Sequence, residues 1–273
     1  MSKKNYIKIE IKTTSADEAE MIIAYLSDIH FYAFEQENNF LNAYVNEEDF
    51  DEQKMKEILS PETSFTKNII EEENWNQQWE HGIEPVIVNE FAGIRPSFSK
   101  PIDKVKFDLI ITPKMSFGTG HHATTFLMLE LMQHINFKNK TVIDFGTGTA
   151  VLAILAEKCG AKKVFAVDYD EWSIENAKEN IETNHCKNIT LKQQDNLAGI
   201  QPADMILSNI NLNVLKSESS SISSLLKSGS FLLVSGFLFS DEKEMQQIFE
   251  EKNLVKKQTK SLGEWLAILF EKQ

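Results

Sequence analysis

The sequence predicts an α/β protein: a doubly wound, mostly parallel sheet with an antiparallel last strand, preceded by a small α+β domain. Three observations carry this expectation. From Phe107 onward, continuous apolar strand-like runs alternate with helical patterns, as in a parallel sheet wrapped by helices. A glycine-rich turn, Gly146-Thr147-Gly148, joins the first of these strands to its helix. Residues 1–72 differ, mixing period-two and helical-period segments within about 70 residues.

Taken in order, Tyr6–Ile11 alternates apolar and polar residues as a half-buried strand does. Ser15 precedes a helical pattern with Ala19, Ile22, Ile23 and Leu26 on one face, and Ser15 with Glu18 has the spacing of a capping box. Strand-like runs follow near 31–35 and 41–45, then a helix over 54–59. Residues 73–105 read as a linker or docking strap, with Trp75 and Trp79 on one helical face and the chain's one arginine, Arg95. The third segment, 106–273, carries strands at 141–144, 163–168, 189–195, 203–209 and 231–235. Helical patterns at 126–134, 150–158, 173–183, 214–226 and 241–250 separate most of them, and Gly160 and Gly229 stand where helix-terminating glycines belong. Residues 254–260 and 265–270 read as two strands joined by a short turn, which makes the last one antiparallel.

Composition narrows the chemistry. The chain has 273 residues, 42% apolar and 25% charged, the profile of a globular protein with a real core. Its net charge is −13, which disfavours bare nucleic acid and suits a basic partner or a small ligand. Residues 1–72 hold sixteen acidic residues and seven lysines, so most of that charge is concentrated there. Two cysteines, Cys159 and Cys186, suit a reducing compartment and offer no metal-ligand spacing. No apolar run reaches the length of a membrane span, and a cytoplasmic monomer is expected.

The sharpest signal is Val142-Ile143-Asp144-Phe145-Gly146-Thr147-Gly148-Thr149-Ala150-Val151. A dinucleotide fingerprint needs glycine at 151, where this chain has valine, so the pyrophosphate reading loses its third glycine. Gly146 and Gly148 let the backbone approach a ligand, while the Asp144 carboxylate suits a cationic amine. S-adenosylmethionine fits such a turn, having an amino-acid end and no pyrophosphate. Asp168 ends the next strand, 22 residues after Gly146, where a carboxylate takes both ribose hydroxyls of a nucleoside. Asp170 is the better helix cap, and Asp195, ending the third strand, is placed to face the adenine amino group. Asn209 ends the fourth strand beside the same crevice. Its amide oxygen can hold the N–H of an acceptor amine and aim the nitrogen lone pair, with Asn211 left to cap the helix. Upstream, Phe117-Gly118-Thr119-Gly120-His121-His122 with Thr124 and Thr125 makes a hydroxyl-rich loop before a helix. Adjacent histidines do not share a helix face, so no metal is expected, while a catalytic base among them stays open.

Together these motifs resemble the bacterial methyltransferases of large-subunit ribosomal protein L11, a class I S-adenosylmethionine-dependent family. The resemblance runs over most of 73–273 and rests on the Trp79 strap, Ile94–Ser97, Phe117–His122, Thr124-Thr125, Val142–Gly148, Asp168, Ser208–Ile210 and Glu264-Trp265. It implies cofactor contacts from Thr125, Gly146, Asp168 and Asn209, with the loop of Phe117, Gly118, Thr119 and Gly120 over cofactor and acceptor. It further implies that residues 1–72 recognise a highly basic ribosomal protein and that lysine side chains and an N-terminal amine are methylated, leaving S-adenosylhomocysteine. The chain departs from the family pattern at Ala150, at Thr112-Pro113-Lys114 and at Ala123. Rival readings are a methyltransferase of another protein lysine or nucleic-acid amine, a non-catalytic S-adenosylmethionine-binding module, and a dinucleotide oxidoreductase, which Val151 disfavours.

Overall fold

A computed structural model describes residues 5–37, 39–59, 63–71, 84–112, 114 and 116–273. Trp75 and Trp79 lie outside them. The chain divides into two compact units, Met1–Trp79 and Glu80–Gln273.

The first unit runs β1 (Asn5–Lys12), α1 (Ala16–Ser27), β2 (Ala33–Glu37), β3 (Phe40–Asn46), α2 (Glu52–Ile58) and β4 (Phe65–Glu71). Its antiparallel sheet has the order β2-β3-β1-β4, a split βαβ arrangement. Ile7, Ile9 and Ile11 alternate onto one face opposite Val45, Ala43 and Leu41, and Ile22, Leu26 and Met55 close the core over them. Ser15 caps α1 by accepting the Glu18 N–H at 3.2 Å. The return bond of the capping box goes one residue further back, from the Thr14 N–H to the Glu18 carboxylate at 2.7 Å. Strand β4 is absent from the sequence reading. Lys67 interrupts its apolar alternation, yet this lysine lies on the core side with Nζ 4.3 Å from the Phe50 ring centroid, its aliphatic stem serving as apolar surface.

The second unit opens with β5 (Val86–Val88), β6 (Ala92–Arg95) and β7 (Phe107–Ile110), then α3 (Ala123–Met132). A regular alternation follows: β8 (Thr141–Phe145), α4 (Val151–Lys158), β9 (Lys163–Asp168), α5 (Glu171–Thr183), β10 (Ile189–Gln193), β11 (Ala203–Asn209), α6 (Leu212–Ser224), β12 (Leu226–Leu238), α7 (Glu242–Glu250), β13 (Leu254–Leu262) and β14 (Trp265–Lys272). The seven-stranded sheet has the order β10-β9-β8-β11-β12-β14-β13. Neighbours from β10 to β12 are parallel, and β14 runs antiparallel to both β12 and β13. Successive residues of each central strand enter opposite cores: Val142, Leu207 and Leu233 on one face, Ile143, Ile206 and Val234 on the other. Strand order reverses beside β8, so the carboxyl ends of β8, β9 and β11 border one crevice.

One expectation is corrected. Gly160 does end α4: its N–H bonds to Glu157 and that of Ala161 to Ala156. Gly229 terminates no helix; α6 ends at Ser224, and Gly229 lies inside β12, which is far longer than residues 231–235. Within residues 73–105, β5 and β6 form strands and pair with β7 as a three-stranded ribbon. Arg95 holds that ribbon together. It is 7% exposed, bonds both Asp108 oxygens at 2.9 Å and donates to the Ser99 carbonyl at 2.9 Å. Arg95→Ala leaves the Asp108 carboxylate without its counter-ion and should cost about 2–3 kcal/mol, read as a lowered urea midpoint. An unchanged midpoint would show the pair to be energetically neutral.

Candidate active site

The site is built at the end of β8. The chain turns there with φ of 76° at Gly146 and 52° at Gly148, the left-handed region open to glycine. A Cβ at Gly146 would strike the Ile210 side chain, and one at Gly148 the Phe117 carbonyl oxygen. The Gly146 and Thr147 N–H groups both donate to the Val167 carbonyl at 2.9 Å, fastening the turn to β9. Ala150, where the family pattern has glycine, adopts φ 64° as the N-cap of α4 and is fully buried. Left-handed strain of about 1–2 kcal/mol is partly offset by burying its methyl, worth about 0.8 kcal/mol.

Asp168 ends β9 with only 8% exposure. One oxygen accepts the Gly148 N–H at 2.9 Å and the other the Asp170 N–H at 3.1 Å. Each keeps acceptor capacity for a further donor. Asp170 caps α5 through the Ser173 N–H, and Asn211 caps α6 through the Val214 N–H, as expected. Asn209 ends β11, donates its Nδ2–H to the Thr125 hydroxyl at 3.3 Å, and leaves its Oδ1 buried without a partner among the described residues.

A cavity of about 450 Å³ lies between these strand ends, within the size range of small-molecule sites. It brings together Phe117, Gly146, Gly148, Asp168, Asp195 and Asn209 of the anticipated residues. Asp195 is exposed just beyond β10 and accepts from the Asn196 amide at 2.8 Å. Four anticipated residues are not in the lining. Thr125 stands behind Asn209; Gly118 and Thr119 lie in the loop, the former's carbonyl accepting from the Thr149 hydroxyl and the latter's hydroxyl meeting His121. The fourth, Asp144, is fully buried behind the turn, accepting from the Thr147 hydroxyl at 2.6 Å and the Ala153 N–H at 3.1 Å while its Oδ1 has no partner among the described residues. Sequence reasoning overlooked Tyr169, 75% exposed at the cavity wall, and the Ile210 and Val214 side chains. An aromatic residue directly after the strand-end acid was the available signal for Tyr169.

Burial pushes the Asp144 carboxyl up to about 7, helped by the Asp168 charge and opposed by its two hydrogen bonds. Because the folded protein then holds this proton more tightly than the unfolded chain, stability falls as pH rises from about 4 to about 7. Asp144→Asn removes the titration. Its melting temperature relative to the parent should rise between pH 5 and pH 8 by the equivalent of roughly 2–4 kcal/mol. A pH-independent difference would place the Asp144 pKa near its usual value.

The two histidines are engaged locally. His122 caps α3 by accepting the Thr124 N–H at Nδ1, and its ring packs edge-on between Phe117 and Trp265. His121 meets the Glu84 carbonyl at 2.9 Å.

The glycine cradle, the strand-end carboxylate with spare acceptor capacity and the orphaned Asn209 oxygen suit a ligand with a ribose and an amino group. With this sheet topology they define the class I S-adenosylmethionine-dependent methyltransferases. The family model described as ribosomal protein L11 methyltransferase (PrmA) matches residues 2–273, and the chain belongs to this family. The ribosomal protein L11 methyltransferase of Bacteroides thetaiotaomicron is 33% identical over 276 residues, covering 97% of this chain and 99% of that protein. The one from Chlorobaculum tepidum is 34% identical over 281 residues, covering 98% and 96%. The crystal structure of the ribosomal protein L11 methylase from Lactobacillus delbrueckii subsp. bulgaricus superposes with a TM-score of 0.65 at 27% identity, over 70% of this chain and all of that one. A Pyrococcus furiosus methyltransferase shares the fold, with a TM-score of 0.52 at 20% identity over 60% of this chain and 89% of its own.

Proposed function

We propose that this protein methylates ribosomal protein L11 at lysine side-chain and N-terminal amines, with Asn209 as the residue that orients the acceptor. The observation that carries the role is the Asn209 Oδ1, buried at the end of a central strand beside the cavity and lacking a donor among the described residues. A buried acceptor without a partner is costly, and an incoming amine N–H relieves that cost. The acidic N-terminal segment, residues 1–72 with a balance of −9 from sixteen acids and seven lysines, suits recognition of a basic substrate.

S-adenosylmethionine, when bound, supplies an electrophilic methyl group on a sulfonium. The protein's own residues bind and orient. Gly146 and Gly148 admit the donor close to the backbone, and Asp168 accepts from its ribose hydroxyls. Asn209 takes an N–H of the neutral amine on Oδ1, turning the lone pair toward the methyl. Thr125 holds the other end of the amide, so Asn209 presents oxygen rather than nitrogen to the acceptor. An ammonium has no lone pair, so the acceptor loses a proton to water before attack and turnover climbs with pH. The effect is one of positioning, and no protein nucleophile takes part.

Intact mass tests the reading. Purified protein, S-adenosylmethionine and unmodified recombinant L11 should yield an acceptor heavier by whole methyl steps, and Asp168→Ala should abolish the gain. No added mass, from a protein that still binds S-adenosylmethionine, would overturn the acceptor assignment and leave the fold and cofactor site standing.

A further inference from the structure

Helix α5 and its C-cap carry three asparagines four residues apart, Asn176, Asn180 and the capping Asn184, and all three are at least nine-tenths buried. Such a row is expensive to bury unless each amide is used. Strand β7 pairs with β6 along one edge only, and α5 serves the other. Asn184 takes both backbone groups of Ile110: its Oδ1 accepts the N–H at 3.0 Å and its Nδ2–H donates to the carbonyl at 2.6 Å. One turn back, Asn180 accepts the Thr112 N–H at 2.9 Å. The helix thus stands in for a neighbouring strand, which by itself is a structural role.

Asn180 does more. Its Nδ2–H reaches across to the Thr149 carbonyl at 3.0 Å, in the turn that ends at α4. Thr149, fully buried, then takes both carbonyls of the loop on the far side. Its N–H donates to Phe117 at 2.9 Å and its hydroxyl to Gly118 at 2.8 Å. One side chain therefore ties the chain at Thr112, directly, and at Phe117 and Gly118, through Thr149. Phe117 forms part of the cavity wall, and its carbonyl oxygen sits where a Cβ at Gly148 would stand.

We propose that Asn180 and Thr149 are positioning residues that set the Phe117–Gly118 backbone over the glycine turn and thereby fix the shape of the cofactor cavity. Asn184, in the same row, anchors β7 but makes no bond to Thr149. The contrast between the two asparagines separates a site role from a fold role. The proposal rests on the reading of this cavity as the S-adenosylmethionine site, and not on the identity of the acceptor.

The test compares Asn180→Asp and Asn184→Asp in the full chain, with calorimetric binding of S-adenosylhomocysteine and the melting temperature as readouts. Both substitutions keep the oxygen that accepts a β7-side N–H and lose the donor. Both should lower the melting temperature. Only Asn180→Asp should weaken S-adenosylhomocysteine binding, by about tenfold, the scale of one lost neutral hydrogen bond. Thr149→Val, which deletes only the hydroxyl, should weaken binding in the same sense, and Thr149→Ser should restore it. Equal affinities in all variants would overturn the proposal, as would an equal loss in Asn180→Asp and Asn184→Asp. Should Asn180→Asp fail to fold, the Thr149 pair decides by the same criterion. A parent protein that does not bind S-adenosylhomocysteine would instead overturn the cofactor reading, a failure visible before any variant is made.

Discussion

Asn209→Ala is expected to retain the fold and to lower kcat by about two to three orders of magnitude, the scale of removing one preorganised group at a reacting centre. On the proposed reading the amide meets the acceptor through Oδ1, since Nδ2 donates to Thr125. Thr125→Val provides an internal check. It preserves the shape of the site but releases the amide, so kcat should fall by about tenfold, one lost hydrogen bond's worth of orientation. Single-turnover assays with saturating cofactor would measure both. Near-normal turnover in Asn209→Ala would remove the amide from the mechanism, and the acceptor's orientation would have to come from backbone carbonyls.

Asp168→Ala should weaken S-adenosylmethionine binding by about 100-fold or more, equivalent to about 2.7 kcal/mol, because charge-assisted hydrogen bonds to a ribose are lost together. The same change strips the Gly148 N–H of its acceptor, so the turn that forms the cradle loosens as well. Asp168→Asn separates the two effects. It keeps an oxygen for Gly148 or for the ribose but not the charge, and it should fall between parent and alanine variant. Titration calorimetry with S-adenosylhomocysteine would read this directly. Affinity unchanged in Asp168→Ala would move the ribose contact elsewhere, with Asp195 the next carboxylate in the cavity.

Much of this architecture was legible because its signals are local. Strands β9 and β11 match the anticipated 163–168 and 203–209 to the residue, each being a short apolar run bounded by turn residues. The caps at Asp170 and Asn211 are equally local, a side chain and an N–H two or three residues on. Where an element depends on partners distant in sequence, legibility fails. Strand β4 exists because β1 offers it an edge, and Gly229, at φ 78°, falls in the irregular stretch of β12 between Leu226 and Phe231, whose β11 partners are Ala203 and Met205. Asp144 shows a different limit at the site: its strand-end position suggests contact with a ligand, and only the packing shows it buried outside the cavity lining, with its Oδ2 taken by its near neighbours Thr147 and Ala153.

By itself, the sequence determined the class of fold, the glycine turn and the strand-end acid and amide, since period, spacing and residue type carry those; the methyltransferase family entered through the resemblance of its motifs. Tertiary structure alone decided which of these residues share a cavity, that Thr125 stands behind Asn209, and that Asn180 reaches Thr149 from a helix 31 residues away. Hydrogen bonds between distant segments leave no period in the sequence. They exist only once packing has brought the donor and acceptor within reach and excluded the water that would otherwise satisfy them.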